Sequence, residues 1–315
     1  MSRKKEVLSL ISIAAAGTLW GLMGVFVDYF KKLGLDSGAI TGIRVVSATV
    51  ALVIFLLIAD RSLFRIKLKD IWCFACTGMI SLLIQTLFYF RCIVLTDDVA
   101  MAAVLLYTAP VFVMILSAIV FKEKITPVKA VSAVIAIIGC CFVTGLIGSG
   151  VSGNAEGILC GLASGLGYAS YSIFSRFALD RGYKSLTVTL YTFIFGTIGT
   201  LPMMLIAGSD IGASVGILVG TGVRVLPMVI GIGVVSAALP YILYTKGLEG
   251  TEPGKASVTA SVEPAVAALA GWLILGQEMG TLKVIGIFIV LAAIVLNSGV
   301  VRIDKKPGSG GEKEN

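Results

Sequence analysis

No histidine occurs anywhere in the 315 residues. Its absence removes the usual general base near neutral pH and leaves any cysteine or carboxylate cluster without its commonest metal-binding companion. Charge is scarce as well, with 14% charged residues against 57% hydrophobic ones and a mean hydropathy of +1.00. A soluble domain of that composition would have too little polar surface, so an integral membrane protein is expected. Of the six cysteines, Cys73 and Cys76 form a CxxC at the start of an apolar segment, while Cys92, Cys140, Cys141 and Cys160 lie within or beside others. Without histidine these read as small packing residues rather than a zinc or redox site. An intramembrane enzyme would need a nucleophile with its base, or a set of metal ligands, and neither is evident. No catalytic residue, metal or cofactor is therefore assigned.

What the chain has in abundance is apolar length. Stretches of about twenty residues recur, each enough to cross a hydrocarbon core roughly 30 Å thick as a helix. They run approximately from Val7 to Val27, Ala39 to Ala59, Ile71 to Val94, Val99 to Phe121, Val128 to Ile147, Gly157 to Phe177, Leu186 to Ala207, Val225 to Thr245, Ala256 to Leu275 and Leu282 to Val300, which predicts about ten spans. Strands of a membrane barrel would alternate apolar and polar residues, whereas Ala133 to Ile138 and Ile285 to Leu296 are apolar on every side. Arg3, Lys4 and Lys5 precede the first segment as in a signal peptide. That segment is long, and no small-residue cleavage site followed by a polar mature domain appears, so it reads as a retained span.

Lysine and arginine near span ends are held on the cytoplasmic side. With the N-terminus inside, roughly nineteen basic residues fall in the cytoplasm, including Arg61, Arg65, Lys122, Lys124, Lys129, Arg176, Arg181, Lys246 and Lys255. About five (Lys31, Lys32, Arg91, Arg224 and Lys283) fall outside. Both termini are expected in the cytoplasm. The net charge of +7 then follows from this bias and calls for no nucleic-acid partner. The glycine- and serine-rich stretch from Gly145 to Gly157 reads as an extracytoplasmic linker. Residues 1–150 and 151–302 are expected to form two halves, and 303–315 a disordered cytoplasmic tail.

One passage occurs twice. LLYTAPVFVMILSAIVFKEKIT, from Leu105, returns as TASVEPAVAALAGWLILGQEMGT, from Thr259, with a proline, an apolar run, a glutamate and a threonine in matching order. Each copy lies near the end of a half holding an odd number of apolar segments, so the halves should lie in the membrane with opposite orientations, as transporter repeats do. Ser261 to Glu278, its partner Tyr107 to Glu123, the Trp20-Gly21 pair and the passage FYFRCIVLTDDVAMAAVLL together resemble the EamA domains of the drug/metabolite transporter superfamily. The resemblance covers nearly the whole chain in two copies. It implies an all-α integral membrane protein of ten helices in two inverted five-helix repeats, with a central cavity and alternating access, typically for export of amino acids or other small metabolites.

An ionisable residue deep in a membrane is costly unless it faces a cavity or a partner. Glu263 lies about eight residues into its span, roughly a third to half of the way across. Pro264 comes next, and its missing N–H frees a carbonyl one turn earlier, near Ala260. Such a carboxylate can exchange a proton, hold a cation or anchor a substrate amine; alternatively it accepts local hydrogen bonds and joins a helix pair. Arg44, nearer an outer end, offers a planar fork to a substrate carboxylate, or else snorkels to the headgroups. In the sixth segment Ser164, Tyr168, Tyr171 and Ser175 share one helical face. Gln85 and Tyr89, Tyr241 and Tyr244, and Trp20, Tyr107 and Trp272 complete the candidate lining, while Tyr29, Tyr183 and Tyr191 suit a membrane-interface belt. Glycines 17, 21 and 24 in the first segment and 157, 161, 165 and 167 in the sixth predict close helix packing, with these two helices as a related pair near the pseudo-two-fold axis.

The expected function is a secondary transporter exporting a small metabolite, an amino acid or related compound, with membrane lipid as its other partner and no ATP site. A membrane scaffold or assembly protein is the alternative that duplication and packing glycines would also serve. Inward-compatible polar faces on several helices favour transport.

Overall fold

The computed structural model describes residues 3–97, 99–147, 155–206 and 208–298. The expected boundary between halves, at residues 150 and 151, and the tail at 303–315 lie outside them. Ten helical spans are long and apolar enough to cross a membrane. They are span 1 (Lys4–Lys32), span 2 (Ser37–Ala59), span 3 (Leu68–Thr96), span 4 (Val99–Val120) and span 5 (Pro127–Thr144), then span 6 (Ala155–Asp180), span 7 (Ser185–Ile206), span 8 (Ile211–Leu248), span 9 (Pro253–Leu275) and span 10 (Thr281–Ser298). Every regular element among the described residues is helical. The chain is a multi-pass membrane protein built as two inverted repeats of five spans.

Local chemistry sets the span ends. Asp36 caps span 2 by accepting from the Ala39 amide at 2.9 Å, and Thr126 caps span 5 ahead of Pro127. Gly145 ends span 5 at a positive φ of 83°, a conformation that costs glycine little. Span 8 departs from the expectation: a further helix, Ile211–Thr221, precedes the crossing helix and is capped by Asp210. Ile217 and Leu218 of that helix pack on the cluster of Phe30, Leu35 and Ile40, which draws this apolar segment onto the bundle.

Span 1 breaks at Leu22, between Arg3–Gly21 and Met23–Lys32, where span 6 runs on without a break, and four further spans carry discontinuities in matching pairs. Span 4 breaks between Val99–Leu106 and Ala109–Val120, and span 9 between Pro253–Ala260 and Val262–Leu275. The causes are Pro110 and Pro264, which cannot donate to the carbonyls four residues earlier. Span 3 carries a π-helical stretch at Cys76–Ile84, and span 8 one at Val234–Ala238. Packing obeys the same symmetry: span 1 lies against spans 8 and 9, span 6 against spans 3 and 4, span 2 against span 7, and span 5 against span 10. Thr49 of span 2 meets Thr197 of span 7 hydroxyl to hydroxyl at 2.7 Å, a polar tie between helices in lipid.

The glycine faces of spans 1 and 6, the related pair of the two repeats, each receive a broken span. A Cβ on Gly17 would lie 2.8 Å from the Ala260 carbonyl oxygen, and one on Gly165 3.2 Å from that of Leu106. Those are the two carbonyls freed by Pro264 and Pro110, so bare glycine backbone closes over the weakened turn in both repeats.

Candidate functional site

Glu263 sits at the first turn after the span 9 break and keeps part of its surface accessible although it lies deep in the bundle. Two phenols face its carboxyl group, Tyr107 from the break in span 4 and Tyr168 from span 6. Tyr89 of span 3 and Cys140 of span 5 are near enough to interact with it electrostatically. Arg44 reaches inward from span 2 rather than up to the headgroups. Its Nη2 donates to the Ser236 carbonyl at 3.3 Å, within the π-helical stretch of span 8. Its Nε is buried without a hydrogen-bond partner. Arg44 acts electrostatically on Glu263, Tyr168 and Tyr241. The two charges form no direct ion pair among the described residues, so an acid and a base flank one region from opposite repeats.

Beside this chamber stands a closed aromatic cage. Trp20 lies 5.3 Å from Tyr241, 5.5 Å from Tyr244 and 6.3 Å from Tyr168, centroid to centroid. Tyr171 packs edge-on to Tyr241 at 4.9 Å, and Phe193 does so from span 7 at 5.1 Å. The hydroxyls are paired as well, Tyr171 with Thr245 at 2.7 Å and Tyr244 with Ser172 at 2.8 Å. Trp20, Tyr168, Tyr171, Tyr241 and Tyr244 with Ser81 and Ser172 enclose about 10 Å³, no more than one water needs.

The structure thus gathers most of the expected residues but not all. Gln85 packs against the backbone of span 6 at Gly167. Trp272 is 48% exposed on the outside of span 9 and takes no part in the lining, because its face of the helix points away from the partner spans. Ser81, Ser172, Ser236, Phe193 and Cys140 are site neighbours that sequence reasoning passed over. Ser81 and Ser236 sit in π-helical stretches, where the register shift defeats a count of helical periodicity. Tyr183 and Tyr191 lie at a span end, donating to Asp70 and to the Phe64 carbonyl at 2.8 and 2.7 Å.

Paired broken helices and a polar, aromatic chamber at the interface of inverted repeats define a class, that of membrane transporters with a central site. The chain belongs to the EamA-like transporter family, whose model matches residues 7–145 and again 155–299. It is 26% identical over 292 residues to an uncharacterized transporter of Archaeoglobus fulgidus, covering 90% of this chain and 94% of the other. It is 24% identical over 293 residues to the uncharacterized inner membrane transporter YicL of Salmonella typhimurium, covering 92% and 94%. A solved crystal structure superposes with a TM-score of 0.74 at 15% identity, covering 91% of this chain and 95% of its own, a likeness of fold.

Proposed function

We propose that the protein exports a small zwitterionic metabolite, an amino acid or related compound, across the cytoplasmic membrane by alternating access, with both termini in the cytoplasm. The observation that carries this reading is the unsatisfied Arg44 Nε beside a carboxylate with which it does not pair. A guanidinium with an idle Nε–H suits a substrate carboxylate, and Glu263 suits the ammonium group of the same molecule. The surrounding aromatic rings supply a surface for an apolar side chain. Glu263 also serves as the coupling group, releasing or taking a proton as the substrate amine arrives or leaves. The positive-inside bias supports the orientation, and likeness to an inner membrane transporter of Salmonella supports a cytoplasmic-type membrane.

The test is flux in proteoliposomes, with a mixture of amino acids on one side and an imposed pH gradient. Glu263→Gln is expected to abolish the response to the pH gradient, and Arg44→Met to weaken apparent affinity for carboxylate-bearing solutes. Loss of a charge-assisted hydrogen bond of about 1.5–3 kcal/mol corresponds to roughly ten- to a hundredfold. Unchanged gradient dependence in Glu263→Gln would return that residue to a structural role. Absence of flux for every amino acid in the wild type would remove the substrate reading.

A further inference from the structure

Unmet polar groups are unevenly divided between the two ends of the bundle. Crevices of about 600 and 300 Å³ lie at the end opposite the N-terminus, lined respectively by residues such as Asp36 and Arg91, and Asp28 and Gln277. At the N-terminal end, where the basic residues gather, charged side chains bridge the spans. Seven polar side-chain atoms among the described residues are buried without a hydrogen-bond partner. Arg44 Nε is in the far half. The other six, on Ser117, Ser132, Ser175, Thr189, Thr251 and Asn297, all lie in the N-terminal half, each at most 3% exposed. Ser175 and Thr189 gather about the Tyr171 hydroxyl, which Thr245 already engages. On span 6, Tyr168, Tyr171 and Ser175 succeed one another along one face, leading from Glu263 towards the basic end.

That end is closed by a clamp on the turn between spans 8 and 9. Arg176 of span 6 donates through Nη1 to the Leu248 carbonyl at 2.9 Å and that of Thr251 at 3.4 Å. Lys129 of span 5, with only 8% of its side chain exposed, pairs with Glu252. Lys255 pairs with Glu6 of span 1 at 2.6 Å. Three cations from three spans therefore hold one turn and the start of span 9 against the first repeat and span 6.

We propose that the hydroxyl column around Tyr171, Ser175, Thr189 and Thr245 is a second solute-facing surface, the inner passage of the transporter, and that the clamp on the turn between spans 8 and 9 is its door. Four hydroxyls, those of Thr245, Ser175, Thr189 and Thr192, crowd about the one Tyr171 phenol, and those of Ser175 and Thr189 reach no well-aligned bond, so the column is under-bonded in this closed state. Opening wets them and offers donors and acceptors to a polar solute moving from Glu263 to the cytoplasm. The clamp supplies the opposing stabilisation, since a largely buried lysine requires its carboxylate. The proposal rests on the alternating-access reading but not on the identity of the solute.

The test is cysteine labelling in inside-out vesicles with a membrane-impermeant maleimide. Ser175→Cys and Thr189→Cys are each placed in the full chain after its six cysteines are replaced, with Lys246→Cys as an exposed control. With the clamp intact, labelling at 175 and 189 is expected to be slow. Glu252→Gln, and separately Arg176→Gln, are expected to raise its rate roughly tenfold without changing the control. The charge swap Lys129→Glu with Glu252→Lys is expected to return it to the slow value. Equal rates in clamp-intact and clamp-broken proteins overturn the proposal, as does fast labelling in both. Arg176→Gln supplies that comparison even if the charge swap fails to insert. Because no solute enters the assay, clamp-dependent labelling in a protein that moves no amino acid supports the passage while removing the substrate reading.

Discussion

At the scale of single residues, similar side chains have been given different work by depth and partner. Tyr168 and Tyr171 are one turn apart on the same face of span 6, and the sequence assigns both to the substrate lining. Tyr168 remains half-buried with its phenol towards Glu263, whereas Tyr171 is 5% exposed and bonded to Thr245. Removing the hydroxyl therefore separates them. Tyr168→Phe is expected to raise the apparent KM roughly tenfold with little change in Tm, since a bond to a charged group is lost in the loaded site. Tyr171→Phe strands the fully buried Thr245 hydroxyl and is expected to cost about 1–3 kcal/mol of stability, with a smaller change in KM than Tyr168→Phe. Measuring KM in proteoliposomes and Tm in detergent for both variants decides the matter; equal effects on both quantities would merge the two roles.

At the scale of the helix, the discontinuities carry the design. Pro264 predicts the loosening of span 9 beside the site, and Pro110 stands at the matching break in span 4. The π-helical stretch of span 3 is not legible, because nothing in Cys76–Ile84 marks it, whereas in span 8 Pro240 stands four residues after Ser236 of Val234–Ala238 and withholds a donor from its carbonyl. A π turn inserts one residue into the register and rotates the residues beyond it about the helix axis. Pro240 leaves the Ser236 carbonyl free to accept from Arg44, and the π stretch of span 3 carries Ser81, which joins the cage. Glycine content predicted close packing but not the partner: spacing records that a face is small, whereas the neighbour depends on the folded order of all ten spans. The observed pairing makes Gly17→Val and Gly165→Val comparable lesions, the first driving a side chain into Val262 and the Ala260 carbonyl, the second into the Leu105 carbonyl and the Thr108 hydroxyl. Both are expected to lower stability by about 1–3 kcal/mol, the range for overpacking, seen as a matching fall in Tm. Gly24→Ala is the control, because a Cβ there meets nothing within 4 Å. A large loss at Gly17 with none at Gly165 would argue against equivalent use of the two breaks.

At the scale of the whole molecule, two nearly symmetric repeats hold an asymmetric site. The repeated passage places Ala109-Pro110 where the second copy has Glu263-Pro264, and only Glu263 lies between the phenols of spans 4 and 6. The breaks in spans 4 and 9 form a pair, one in each repeat. Under the proposed coupling, a single proton-exchanging carboxylate serves both repeats. Span count and helical class are readable from apolar length, and the break in span 9 from Pro264, whereas the inward turn of Arg44 and the outward turn of Trp272 depend on rotation about a helix axis, which apolar sequence on every side leaves undetermined. The direction of the asymmetry relative to the cell depends on topology. Arg61, Arg65, Lys67 and Lys69 join spans 2 and 3 at the same end as Lys122, Lys124 and Lys246, whereas Asp36, Asp210 and Lys283 lie at the other. Single cysteines at Ser62 and Ser209 in a cysteine-free chain read this directly in intact cells. An impermeant maleimide is expected to label position 209 and spare position 62 until the membrane is permeabilised. The reverse pattern would put the clamped end outside, and the aromatic cage would then seal the site against the exterior.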